Sequence, residues 1–126
     1  MIYVPVDIRG PIDVKKSINI QSGITNNYPE IVFEIHSDYA YVDLGDDCML
    51  SAAVTNTDLE SVVFSGELSI MNPHRGQILC KLNYADFSET GINTLTVRCN
   101  CADFDISFQT TIFVQSVSKS VKEVLS

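Results

Sequence analysis

The chain has no tryptophan, two histidines, four cysteines and only eight lysine and arginine residues in 126 positions. Each scarcity excludes something. Sixteen acidic residues outnumber the basic ones, giving a formal net charge of −8. The basic residues are scattered from Arg9 to Lys122, whereas phosphate contacts need a basic stripe, so nucleic acid is not an expected partner. No apolar run approaches the roughly 18 residues of a membrane-spanning helix, so no membrane insertion is expected. His36 and His74 alone do not assemble a histidine-rich metal site. There is no G-x-S-x-G, phosphate-binding loop, H-E-x-x-H or dinucleotide fingerprint, so an enzyme is not expected and no cofactor is implied.

What is present is alternation. Hydrophobic residues make up 45% of the chain, enough for one domain with a single core. They recur at every second position, as expected for half-buried strands. In "ISFQTTIFV" the residues Phe104, Ile106, Phe108, Thr110, Ile112 and Val114 share a face. Leu95, Val97 and Cys99 form another stripe, as do Ile78, Cys80 and Leu82. So do Leu50, Ala52 and Val54, and Ile31, Phe33 and Ile35. Val62, Phe64, Leu68 and Ile70 make a stripe interrupted at Gly66, which suggests a bend or bulge. Ile12, Val14, Ile18 and Ile20 make a weaker one, and Tyr39 to Val42 suggest a short strand. Turn signals at "GITNNYP", "GDD", "TNTD", "NPHRG", "SETG" and "RCNCAD" separate the stripes. One buried and one wet face per strand predicts an all-β, antiparallel β-sandwich. The expected layout is an extended N-terminal arm and first strand over 1–23, a sandwich domain over 24–115, and a C-terminal helical tail or linker over 116–126.

Few residues resemble chemistry. In "NPHRGQIL" the Asn72-Pro73 pair and Gly76 favour a tight reversal, so His74 and Arg75 read as turn decoration rather than an acid–base pair. Arg75 is retained as a contact residue for another protein. Asp43, Asp46 and Asp47 around Gly45 match ordinary turn chemistry better than a calcium loop. Cys48, Cys80, Cys99 and Cys101 lie mostly in apolar runs, and the N-terminus lacks the basic start and apolar stretch of a secretion signal. The expectation is therefore free thiols packed in the core. The Cys99-x-Cys101 pair has no second matching pair, so no metal site is assigned.

The expected function lies in surfaces. Leu79 and Phe113 are apolar on the sides of their strands opposite the buried stripes, so they are candidate interface residues. Val117, Val121 and Val124 recur at helical spacing in the tail and are candidates for a helix that needs a partner surface.

The order of segments carries a resemblance. "VDLGDDCMLSAAV" is followed by "VVFSGELSIMNPHRGQILCKL", then "NYADFSETGINTLTVRC", then "CADFDISFQTTIFVQSV". With Asp43-Leu44, Gly76 and Gly91 as landmarks, this resembles the N-terminal domain of phage upper baseplate proteins (the BppU type) over about two thirds of the chain. The resemblance implies an immunoglobulin-like sandwich and a structural role in the virion: attaching a receptor-binding or fibre portion to the tail baseplate. It implies assembly in the host cytoplasm, other baseplate or tail proteins as partners, and a homotrimer built through the C-terminal tail. The alternatives are an adhesive or stalk module and a carbohydrate-binding module. In the latter, Tyr3, Tyr28, Tyr39, Tyr41 and Tyr84 would replace the missing tryptophan.

Overall fold

Strict alternation in "INTLTVRC" and "ISFQTTIFV" produces the two longest strands, which pair antiparallel from Gly91↔Val114 to Asn100↔Asp105. The computed structural model describes residues 1–9, 12–14, 16–21, 29–45, 47–56, 58–87, 90–102 and 105–115. Within them the strands are β1 (Ile2–Asp7), β2 (Asp13–Val14), β3 (Ile18–Gln21), β4 (Glu30–Ser37), β5 (Ala40–Tyr41) and β6 (Cys48–Thr55). They continue as β7 (Ser61–Val63), β8 (Glu67–Asn72), β9 (Gln77–Lys81), β10 (Gly91–Cys101) and β11 (Asp105–Gln115). Short 3-10 turns at Pro73–Arg75 and Tyr84–Phe87 are the helical elements among the described residues.

The strands form two sheets. The first has the order β2-β1-β4-β9-β8, with β5 added to β4. The second has the order β3-β11-β10-β6-β7. The expected stripes face the space between them. Val4 and Val6, Ile31, Phe33 and Ile35, and Ile78 and Cys80 point in from the first sheet, all fully buried. Val54, Leu95, Val97, Cys99, Phe108 and Ile112 answer from the second. Phe33 meets Phe108 edge-to-face, with centroids 4.9 Å apart and planes at 64°. This pair ties β4 to β11 across the core, and burying such a side chain contributes about 1.5–3 kcal/mol.

The structure departs from the sequence reading in two respects. First, the sheets are mixed rather than purely antiparallel: β1 runs parallel to β4, and β3 runs parallel to β11. Parallel neighbours need long crossovers, and both of these pairs are far apart in the chain. Period-two patterning specifies which face is buried but not which direction a neighbour runs. The stretch read as an extended arm is extended, and the sheets incorporate it. Pro5 is tolerated in β1 for a geometric reason. Ile8 donates its N–H to the His36 carbonyl at 3.0 Å, so by alternation Val4 and Val6 also address β4 while Pro5 points the other way. On that side, among the described residues, β2 pairs with Val6 and Asp7, and Pro5 removes no ladder bond from these pairs.

Second, Cys48 and Cys101 are joined in a disulfide, where free thiols were expected. The register of β6 on β10 ends with Cys48 directly opposite Cys101, a coincidence of pairing that the sequence alone does not display. Cys80 and Cys99 are free and buried. Gly66 is a bend, one of the two forms expected of it, where the chain passes from β7 in one sheet to β8 in the other. A Cβ there would collide with the Lys81 carbonyl oxygen and the Phe64 ring, so glycine is required by close approach. A register shift falls between Ile70 and Asn72. The expected C-terminal helix lies outside the described residues.

Candidate interface on the outer face of the first sheet

The outward side of the first sheet is organised in cross-strand rows. One row runs Tyr3, Val32, Leu79 and Ser69 across β1, β4, β9 and β8. A neighbouring row runs Pro5, Glu34, Gln77 and Asn72. On the other side, Glu30, Lys81 and Glu67 make a charged row, in which Lys81 Nζ is 3.8 Å from a Glu67 carboxylate oxygen. The apolar row is thus framed by polar and charged ones. Val32 has no exposure although it points away from the core. Leu79 is half-buried beside it, and Tyr3 is 44% exposed.

The turn at Pro73–Arg75 overhangs this face. Asn72 Oδ1 accepts from the His74 N–H at 3.2 Å, and Pro73 supplies the φ that starts the 3-10 turn. Gly76 closes it with φ 61 and donates to the Pro73 carbonyl at 3.3 Å. A side chain at Gly76 would collide with the Ile35 carbonyl oxygen, so both its φ and its surroundings require glycine. The turn directs Arg75 back over the sheet rather than into solvent alone. Its guanidinium carbon lies 4.7 Å from the Tyr41 ring centroid, and Nη2 donates to the Tyr41 hydroxyl at 3.0 Å. That hydrogen bond raises the Arg75 pKa above its ordinary value, and Glu34 and Tyr3 add to the same direction through charge. Gln77, buried in the next row, donates through Nε2 to Glu34 at 3.0 Å.

His74 goes elsewhere. Its Nδ1 lies 3.3 Å from Asp43 Oδ2, with both side chains mostly exposed, so the pair contributes little to stability. Asp43 is held below its ordinary pKa, first by the Gly45 N–H and then by His74. Asp46, part of the acidic cluster considered for calcium, lies outside the described residues.

The two interface candidates on strands are not brought together. Leu79 belongs to the first sheet and Phe113 to the outer face of the second, where it stands opposite Ile92 and Asn19. Ile92 is 59% exposed and Phe113 half-buried, and they form one apolar patch on a face that also exposes Met49 and Val63. On that face Arg98 grips Asp105 through two hydrogen bonds of 3.1 and 2.7 Å, which hold the Asp105 pKa below its ordinary value. Val117, Val121 and Val124 lie outside the described residues. Sequence reasoning passed over Val32 and the Arg75–Tyr41 contact, and named Tyr3 only as part of a sugar platform. The signal for Val32 was present: "IVF" breaks the alternation of β4 as "ILC" does in β9.

No protein-family profile and no curated protein sequence matches this chain. Among solved structures, the chain is similar to the N-terminal domain of phage TP901-1 ORF48. The likeness has a TM-score of 0.60 and covers 90% of this chain and 97% of that one, at 8% sequence identity. The shared feature is the fold. At this identity the side chains of the outer face are this chain's own, and what they do must be argued from their chemistry.

Proposed function

We propose that this protein is a structural component of a phage tail baseplate that acts by binding other tail proteins and not by catalysis. The observation that carries the reading is the near-complete coverage of both chains in the likeness to a phage protein's N-terminal domain. The segment order that resembles upper baseplate proteins points the same way. The contact face is the outward side of the first sheet. Tyrosine and arginine are residue types that concentrate binding energy in protein interfaces, and here they stand beside a half-buried leucine inside a polar frame. The role we assign is to hold the receptor-binding or fibre portion at the tail tip, and the tail after Gln115 is the segment we assign to trimer formation.

We read the architecture as immunoglobulin-like. Taking β4, β6, β7, β8, β9, β10 and β11 as strands B, C, C′, D, E, F and G gives B-E-D in one sheet and C′-C-F-G in the other. Immunoglobulin sandwiches share the B-E-D and C-F-G orders, and this assignment adds a C′ strand without a C″ strand among the described residues. The carbohydrate-binding alternative is weakened by Tyr41, because Arg75 already occupies a face of its ring.

The test is to isolate virions of the phage encoding the sequence, identify their proteins by mass spectrometry and label the particles with antibody to this chain. The reading expects the chain in the particle with label at the tail end. Absence from the particle overturns it.

A further inference from the structure

Three sulfurs meet at one end of the core. β10 carries Cys99 and Cys101 to the same side two residues apart, and β6 sets Cys48 opposite Cys101, with Cα atoms 4.0 Å apart. Cys48 and Cys101 share the disulfide, and Cys99 Sγ lies 3.3 Å from Cys101 Sγ. All three sulfurs fall within 4.8 Å of one another. A disulfide sulfur has no hydrogen, so Cys99 is the donor in its contact with Cys101. Cys48 Sγ is 3.1 Å from the Leu44 carbonyl oxygen, a contact that becomes a hydrogen bond only when the disulfide is reduced. An acceptor for the reduced thiol is therefore already in place.

Among the described residues this is the one grouping of three or more side chains with metal-ligating atoms close together. We propose that, in the reduced chain, Cys48, Cys99 and Cys101 bind one soft cation, copper(I), as a three-thiolate site that excludes the disulfide. Metal–thiolate bonds of about 2.3 Å place bound sulfurs about 4 Å apart. Cys99 and Cys101 are already that close, and Cys48 and Cys101 reach it by side-chain rotation once their bond is cut. Three sulfurs without a fourth side-chain ligand suit copper(I), which accepts trigonal coordination, better than zinc, which takes four ligands. Cys99 is fully buried, Cys101 nearly so and Cys48 partly open, so an ion enters beside Cys48 and is shielded once bound.

The steps balance. A dithiol reductant transfers two electrons and two protons to the Cys48–Cys101 bond, yielding two thiols and its own cyclic disulfide. Copper(I) then forms sulfur–metal bonds as the thiol protons leave to solvent.

The experiment uses the full chain, reduced and then freed of reductant under anaerobic conditions. Copper(I) is supplied as its acetonitrile complex, in competition with a chromophoric copper(I) chelator. One copper per reduced chain and none per oxidised chain are expected. Cys99→Ser should weaken binding at least about tenfold, while Cys80→Ser, on the other sheet, should leave it unchanged. Circular dichroism checks that each variant folds. If Cys99→Ser does not fold, alkylation of the wild-type chain decides: bound copper should block Cys48, Cys99 and Cys101 and leave the reactivity of Cys80 unchanged. No uptake by the reduced chain, equal uptake by the oxidised chain, undiminished binding in folded Cys99→Ser, or copper that fails to protect Cys48 would each overturn the proposal.

Discussion

Val32 and Leu79 stand opposite each other on β4 and β9, on the side of the sheet that faces away from the core, and Val32 is nonetheless fully buried. An outward valine with no exposure marks a place where the surface is already closed over by its own side chains. Leu79, half-buried at the edge of that closure, is available to a partner without being needed at the centre of the fold. Leu79→Glu is therefore expected to weaken association with the tail partner at least tenfold, equal to about 1.4 kcal/mol. Phe113→Glu, on the opposite face, should change it less than threefold. Titration calorimetry with thermal melts of each variant checks this. Equal losses would mean that the first sheet is not the contact face.

Thr110 and Asn93 supply a stability test. Both are about 1% exposed on the core side of the second sheet, and neither Thr110 Oγ1 nor Asn93 Nδ2 has a hydrogen-bonding partner among the described residues. A buried hydroxyl without a partner is costly, and valine has the same shape without it. Thr110→Val should stabilise the chain by about 1 kcal/mol, raising Tm by roughly 4 °C. A lower Tm would show that the hydroxyl is satisfied.

Gly76→Ala should do the reverse. Alanine at φ 61 is strained, and its Cβ would meet the Ile35 carbonyl oxygen. The expected cost is about 2 kcal/mol or more in urea unfolding. Partner binding should fall as well, because the turn that aims Arg75 at Tyr41 is lost.

The disulfide closes a loop across a sequence separation of 53. Chain-entropy arguments give about 4 kcal/mol for a loop of that size, and real bridges often deliver somewhat less. Urea unfolding with and without a metal-free reductant should therefore differ by roughly 3–4 kcal/mol. A difference near zero would mean that the bridge adds nothing to the fold.

Arg98 and Asp105 make a pH prediction. Asp105 is depressed below 3.8 by Arg98, so its folded value lies under its unfolded one. The stability from this pair is present above the unfolded value and is lost as pH falls through the folded value. It does not change between pH 7 and pH 5. Carboxyl carbon titration by NMR should give a midpoint under 3.8 in the wild type and a return to it in Arg98→Ala.

How much of this was legible in the sequence depends on what kind of rule each feature obeys. Burial of Phe108, Ile112 and Val114, or of Leu95 and Val97, follows from period two within a single strand, and the alternation showed it. The positive φ of Gly76 followed from local turn chemistry. Features that depend on register between distant strands were not visible. Cys48 meets Cys101 only because β6 and β10 pair as they do, and Val32 meets Leu79 only through β4 and β9. Direction was equally hidden, since β1 and β3 look the same whether a neighbour runs up or down. The candidate face was partly legible: Leu79 was singled out as an apolar break in alternation, while Val32, the same signal in β4, was absorbed into its apolar run.

The placement of β3 against β11 has a consequence for how the protein is made. β3 leaves the ribosome before β4 to β10, yet its parallel neighbour β11 follows all of them. Until that neighbour emerges, "INIQ" has no edge to join, and the flank of the second sheet stays open. Closure therefore waits for nearly the entire domain to be synthesised, and the nascent chain carries an unsatisfied strand throughout, a state in which chaperones or neighbouring copies compete for it.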